Sequence, residues 1–379
     1  MKHEIHVNAE LLKTLSPILK LSRIMGLCSV TYRENHSGYT IKWSWKMYIF
    51  NCVTMTIFTI WSLWGLIDDM RSLTVADIGF KGLFDCFVAA FDIGDIFSAG
   101  FYFVVSSPHR FKYLKKIVKN FEKIDTIIPS TSVKKIWKQS IFLNGSVLVF
   151  MLFLYIFDLF VWDNMTWLGF LRYFPFYVSY TIVIIHELQY WQVVNLTKER
   201  ILTLNSKIEA NFDTIRYSSI RRILTVYDYI SDVVNKINNC FNLSLSIIVF
   251  SAYVHLVFCP YEVVVLVSSS SDSFLRYGHL LWMIVHIARL LLIIEVCHNC
   301  KMELKKTRTL IFKLSTCELE KNAIKELGTL IFKLTQKKIK FSSYGLSKIG
   351  RYLLIAVSCQ FGLFILGGSS SSQCKNEYF

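Results

Sequence analysis

Proline is scarce in this chain, five among 379 residues, and no flexible or repeat-rich segment divides it. That leaves one domain built from long helices. Ten-residue segments of alternating polarity, which a membrane β-barrel requires, are absent. The ten cysteines are scattered from Cys28 to Cys374 and form no disulfide framework. Cys297-His298-Asn299-Cys300 has metal-like spacing, but no second pair follows at zinc-finger distance, so these read as ordinary thiols at a helix end. No phosphate loop or nucleophile elbow occurs. His186-Glu187-Leu188-Gln189-Tyr190 opens like a metalloprotease helix and lacks the second histidine. No enzymatic activity, cofactor or metal is expected. Cleavable signal features are also missing: Glu4, Glu10, Lys13, Lys20, Arg23 and Glu34 precede the first long apolar run.

Apolar length is what the chain has in excess. It is 53% hydrophobic, with a mean hydropathy of +0.42. Seven stretches reach the roughly 20 residues that cross a bilayer core: Trp45–Ile67, Ile78–Val105, Ser140–Trp162, Leu168–Tyr190, Phe241–Val267, Leu275–Cys297 and Tyr344–Gly367. In lipid such runs must satisfy their own backbone groups, so they are expected to be helices.

The net charge of +15 is unevenly placed. The gaps 1–46, 106–139, 191–240 and 298–340 hold 34 of the 42 Lys and Arg residues, whereas 68–77, 163–167, 268–276 and the tail from 368 hold Arg71, Arg276 and Lys375. Basic residues beside membrane spans stay cytoplasmic. The expectation is therefore an all-α integral membrane protein with seven transmembrane helices, a cytoplasmic N-terminus and an extracellular C-terminus. That is the reverse of a G-protein-coupled receptor. Anionic lipid, not nucleic acid, accounts for the basic charge.

Five regions follow. Residues 1–44 form a cytoplasmic N-terminal segment. Residues 45–297 form a six-helix transmembrane region, in which 191–240 is a cytoplasmic helical extension. Residues 298–340 are cytoplasmic anchor helices, 341–367 the last span, and 368–379 an extracellular tail. In the first region, Leu11, Leu12, Leu15, Ile18, Leu19, Ser22 and Met25 share a helix face. That face either lies on the inner membrane surface or packs on the protein's own cytoplasmic side. In 195–239, Leu196, Ile201, Leu204, Ile208, Ile215, Ile220 and Ile223 exceed what a solvated loop needs. The same holds in 300–340 for Leu304, Leu310, Ile311, Leu314, Ile324, Leu327, Ile331 and Leu334. Spans four, five and six are thus expected to run on into a cytoplasmic bundle.

Several short motifs resemble the insect gustatory receptor family, which is related to the insect odorant receptors. Arg200 followed by Leu204-Asn205 is similar to that family's Arg and Leu-Asn pair. Ile237-Asn238-Asn239-Cys240-Phe241 resembles its Ile-Asn-x-x-Phe, Cys300…Glu303…Thr307 its Cys…Glu…Thr, and Phe341-Ser342-Ser343-Tyr344-Gly345 its Phe-Thr-Ala-x-Gly. The family's Thr-Tyr and Gln-Phe signature in the last span is replaced here by Leu363-Phe364 and Ser370-Ser371. The resemblance implies a ligand-gated cation channel of four like or related subunits in the plasma membrane. Its last span would line a central pore, and an outward-opening pocket among spans one to six would receive a small-molecule tastant. An odorant-receptor type channel is the nearest alternative; a polytopic transporter or enzyme is the different-class one.

The outer gaps are too short for a folded ectodomain, so a ligand must enter among the helices. Ionisable residues inside a membrane are costly and face a cavity or a partner. The candidates are Asp85, Asp92 and Asp95 in span two, Tyr155 and Asp158 in span three, Arg172 and Tyr177 in span four, Tyr253 in span five, and His279 and Trp282 in span six. Polar groups among aromatic walls suit a small organic molecule. The plainer reading is that Asp158 and Arg172 form an internal ion pair and the rings simply pack. In the last span Leu353, Ala356, Val357, Gln360, Phe364 and Gly367 recur every three or four residues. They either face the pore, with Phe364 at an outer constriction, or pack on spans five and six.

Overall fold

The computed structural model describes residues 4–35, 38–72, 80–129, 133–163, 166–212, 217–268, 273–317, 320–336, 339–343 and 347–348. The described residues are helical apart from short strands and turns. Near the N-terminus β1 (Glu4–Val7), β2 (Val30–Asn35) and β3 (Gly38–Trp43) form an antiparallel sheet in the order β1-β3-β2. This sheet is an addition to the expected all-helical architecture. Its register sets Ile5 opposite Ile41 and Tyr32 opposite Ile41. Ile5, Val7, Val30, Ile41 and Trp43 turn inward to the core, the two-residue period of a sheet with one buried face. Gly38 has φ +146°, and a Cβ there would lie 2.6 Å from the Val7 carbonyl oxygen. Gly38→Ala is expected to loosen β1 from β3 by about 1–3 kcal/mol, seen as faster hydrogen exchange in β1 than in α1.

Between the first two strands runs α1 (Ala9–Ile24), capped by the Asn8 carboxamide on the Glu10 N–H. Leu11, Leu12, Leu15, Ile18 and Ser22 are buried against α5 (Val133–Asp163) and α6 (Trp167–Ala210). Gln192 donates to the Thr14 carbonyl at 3.0 Å, and Gln189 to Ser22 Oγ at 2.5 Å. Of the two readings of this helix, the one that packs it on the protein itself is realised. Amide side chains of α6 reach its inner face, and bare lipid could not offer them.

The remaining helices are α2 (Trp45–Ser72), α3 (Phe80–Val105), α4 (Ser107–Ile127), α7 (Tyr217–Ser268), α8 (Ser273–Leu314) and α9 (Lys321–Gln336). Two residue pairs, Ser342–Ser343 (β4) and Ser347–Lys348 (β5), make a short ladder. Helix α4 starts one residue after α3, with Pro108 in its first turn. It occupies the basic segment that charge alone marked only as a gap.

Three helices run on without a break well past the length of one span. Helices α6, α7 and α8 have 44, 52 and 42 residues, about twice the 20 or so that a bilayer core takes. Along their far halves Leu196, Ile201, Leu204, Ile208, Ile220, Ile311 and Leu314 are all buried. On α9 the buried face is Ala323, Leu327, Leu330 and Leu334, while Ile324 is exposed; the stripe is turned one position from the sequence expectation.

Four described helices hold stretches long and apolar enough to cross a membrane: Trp45–Gly65, Val133–Val161, Tyr217–Pro260 and Arg276–Leu314. Helix α2 turns Ile49, Phe50, Val53, Ile57, Ile60 and Trp64 outward, and α5 turns out Phe142, Val149, Leu152, Phe153 and Ile156. Apolar faces this large are tolerated in lipid and not in water. Helix α6 is different. Every residue from Ser179 to Tyr190 is buried within a ring that includes α1, α2, α3, α5, α7 and α8. Shielded from lipid, it can carry His186, Glu187, Gln189 and Gln192.

Candidate functional site

The polar residues of this shielded core meet between α5, α6, α7 and α8. On α8, Trp282, His286 and Arg289 are four and three residues apart and share one face. On α6, Tyr177, Tyr180 and Glu187 likewise share a face, and Tyr155 and Asp158 lie one turn apart on α5. Asp158 is buried and accepts from Tyr177 Oη at 3.0 Å and Trp282 Nε1 at 2.8 Å. The rings of Tyr155 and Tyr177 stack with centroids 4.5 Å apart, and the Tyr155 hydroxyl meets Thr181 Oγ1 at 2.9 Å. Tyr180 stands edge-on to Trp282 at 5.0 Å.

One turn deeper, His255 of α7 stacks on His286 of α8 at 4.0 Å. His255 Nδ1 donates to the Ser251 carbonyl at 2.6 Å. Arg289 then closes the cluster. Its Nη2 donates to Glu187 Oε1 at 2.6 Å and its Nε to the same oxygen at 3.0 Å, while Nη1 reaches the Tyr180 hydroxyl at 2.8 Å and His286 Nδ1 at 3.3 Å. Both members of this ion pair are buried, so each charge depends on the other for solvation.

Four expected site residues therefore converge: Tyr155, Asp158, Tyr177 and Trp282. His279 is half-buried, one turn before Trp282 on α8. Arg172 is half-buried on α6 and packs its Cγ toward α2 at Gly65. Asp95 is half-buried on α3, and Tyr253 lies on an exposed face of α7. The side chains of Asp85 and Asp92 fall outside the described residues, as do Leu353, Ala356, Val357, Gln360, Phe364 and Gly367. Sequence reasoning passed over Arg289 altogether and weighed Glu187 only as a fragment of a protease motif. A signal existed: each is a charge of opposite sign inside an apolar stretch.

At the basic end of the bundle, the short motifs become contacts. Asn205 Nδ2 donates to the Glu303 carboxylate and carbonyl, each at 3.1 Å, and Thr307 Oγ1 donates to Asn205 Oδ1 at 2.6 Å. Cys300, Ile237 and Phe241 are buried, and Asn238 Nδ2 caps the Lys340 carbonyl at 2.7 Å beside buried Phe341. Arg200 pairs with Asp125 of α4 at 2.6 Å. Residues far apart in the chain thus join α6 to α8 through Asn205, α6 to α4 through Arg200, and α7 to the segment at Lys340 through Asn238. Nearby, Arg110 of α4 is buried and donates to the carbonyls of Phe103 and Leu27 and to His186. Burial pulls its basicity down to about 10, which still leaves it protonated at neutral pH.

A family model described as 7tm chemosensory receptor matches residues 15–359. The chain belongs to the 7tm chemosensory receptor family. Membership makes it a membrane protein of the chemosensory-receptor class. One relative is the gustatory receptor for sugar taste 43a of Drosophila melanogaster, 23% identical over 147 residues. That match takes in 39% of this receptor and 34% of the relative, about a third of the relative's length. Among solved structures, the receptor is similar in fold to the insect olfactory receptor OR5 from Machilis hrabei. The TM-score is 0.68 at 12% identity, covering 94% of this chain and 97% of that one. OR5 in complex with eugenol superposes with a TM-score of 0.70 at 12% identity, over 95% and 98% of the two chains.

Proposed function

We propose that this receptor is a gustatory ligand-gated, nonselective cation channel opened by a small extracellular tastant. The observation that carries this reading is the buried Asp158–Tyr177–Trp282 cluster with Tyr155 and Tyr180 around it. A carboxylate held by aromatic donors inside an apolar bundle offers both ring faces and an acceptor to an entering organic molecule. OR5, with the same fold, has been solved with eugenol, itself a small phenol. The alternation of basic gaps supports seven spans with the N-terminus inside and the C-terminus outside in the plasma membrane. Four copies, identical or related, would surround a pore lined by the last span, with the basic-end helices holding them together.

Asp158→Asn keeps the shape and weakens the acceptor, since a hydrogen bond to a charged group is worth about 1.5–3 kcal/mol. Half-maximal ligand concentration is expected to shift about tenfold or more with surface delivery retained. Overlapping dose–response curves would remove Asp158 from the site. The function itself is tested by whole-cell current from cells expressing this chain alone, challenged with sugars, bitter compounds and amino acids. Ligand-evoked nonselective cation current supports the channel; signalling that requires a G protein and carries no current overturns it. The odorant-type alternative would respond to volatile compounds in the same assay.

A further inference from the structure

Helix α1 gives its apolar face to α5 and α6, which leaves the face opposite. Lys13 and Lys20 are seven residues apart, so they point within about 20° of each other and stand about 10 Å apart along the axis. Both are exposed, as is Arg23 beside them. Among the described residues no carboxylate pairs with any of the three. Glu10, one turn before Lys13, lines a cavity with Asp125 and Arg200 instead.

This cationic face sits at the edge of the lipid-facing surface. At one end, Lys13 Nζ lies 5.4 Å from the ring centre of Trp137, in the first turns of α5. On α5, Lys134, Trp137 and Ile141 are spaced three and four apart and share a face, with Lys134 and Ile141 exposed and Trp137 half-buried. The apolar surface of α5 begins there and continues through Phe142 and Val149. At the other end, the segment after α1 is tied to the start of α2. Asn51 Nδ2 donates to Ser29 Oγ at 3.0 Å, and the Ser44 N–H to the Ser29 carbonyl at 2.8 Å. There too the apolar surface begins at once, with Trp45, Ile49 and Phe50 exposed. Helix α1 thus bridges two helices at the level where cations give way to apolar residues. In a bilayer that level holds the headgroups, and indole rings collect there.

We propose that α1 and the start of α5 bind an anionic phospholipid whose headgroup carries more than one phosphate. Lys13, Lys20 and Lys134 hold the phosphates, Trp137 covers the glycerol backbone, and one acyl chain runs along Ile141. Charge complementarity selects this occupant. An uncharged lipid leaves the three ammonium groups without a counter-charge, whereas an acidic peptide or nucleic acid has no use for the apolar strip beyond Trp137. The inner leaflet is the source under the topology proposed above; binding to the purified receptor does not depend on that topology. The lipid joins α1 to α5 and adds its binding energy to the folded state.

The test melts purified full-length receptor in an uncharged detergent with three probes: short-chain phosphatidylinositol bisphosphate, phosphatidylcholine of the same chain length, and free inositol trisphosphate. The bisphosphate lipid is expected to raise the Tm in a saturable way, the free trisphosphate to bind about tenfold more weakly, and phosphatidylcholine to give no shift. Lys13→Gln combined with Lys20→Gln should weaken binding of the bisphosphate lipid about tenfold or more. Lys134→Glu should do the same, with unliganded melts unchanged in both variants because all three side chains are exposed. Lys321→Gln with Lys325→Gln, a likewise exposed pair on α9, should leave binding intact. The proposal is overturned by no shift, by an equal shift with phosphatidylcholine, or by equal binding of the free trisphosphate. An equal loss in the α9 pair also overturns it, since that would mean diffuse attraction and no site. An N-terminal tag reached by antibody on intact cells overturns the inner-leaflet source instead, a failure that the purified receptor would not share.

Discussion

Replacing Glu187 by Gln is expected to remove most of the folded, surface-delivered receptor. The change leaves Arg289 buried with a fixed charge and only neutral acceptors: the new amide oxygen, the Tyr180 hydroxyl and His286. Breaking a buried pair from one side costs about 3–5 kcal/mol, a large share of the 5–15 kcal/mol that holds a typical domain folded. Arg289→Met strands the carboxylate and should be comparably damaging. The paired change Glu187→Leu with Arg289→Met removes both charges and returns two facing helices to apolar packing. It is expected to recover much of the folded fraction, because a buried pair contributes little beyond cancelling its own desolvation. Fluorescence-detected size exclusion of tagged receptor, with surface labelling, measures all four proteins. A double variant as poor as the singles would show that the pair does more than balance charge.

Arg110→Met should be nearly as severe, for a different reason. The guanidinium ties the Leu27 loop, the end of α3 and His186 of α6 to one point on α4. Its removal takes the donor from the Leu27 and Phe103 carbonyls in a dry region, at roughly 1–3 kcal/mol each, and leaves His186 with Gln189 alone. Arg110→Lys is expected to restore only part of this, since a compact ammonium cannot reach three acceptors with one planar fork. Hydrogen exchange separates local from global damage. Fast exchange confined to α1 and the three-stranded sheet would indicate that Arg110 docks the N-terminal segment only. Uniform exchange across α6 would place it in the core of the fold. Restored thermal stability in the lysine variant would count against the fork argument.

Much of the architecture was legible in the residues. Charge alternation and apolar length located the helices, and the apolar positions between Leu196 and Ile223 announced that α6 and α7 outrun a membrane. The motifs around Arg200, Asn205, Glu303 and Thr307 were legible as strings, but not as contacts, because neighbours this far apart in the chain are set by helix packing. The three-stranded sheet was missed since strands of four to six residues give little periodic signal beside a sixteen-residue helix. The buried cluster around Asp158 was half seen. Asp158 and Trp282 stood out as a charge and a large ring within apolar runs, whereas Tyr253 has the same credentials and turns outward. A residue's type states what it can bind; the rotation of its helix decides what it meets.

The sequence by itself determined the family, the long helices and the faces too apolar for water, since hydrophobic length and charge placement are local properties. Only the tertiary structure decided which polar residues inside those helices are partners. It placed α1 on α6 instead of on lipid and gave Asp158 to Tyr177 and Trp282. It also paired Glu187 with Arg289 across a gap of 102 residues. The physical reason is the same in each case. A buried polar group has no water to fall back on, so its partner is whichever group the packing of two long helices brings within 3 Å.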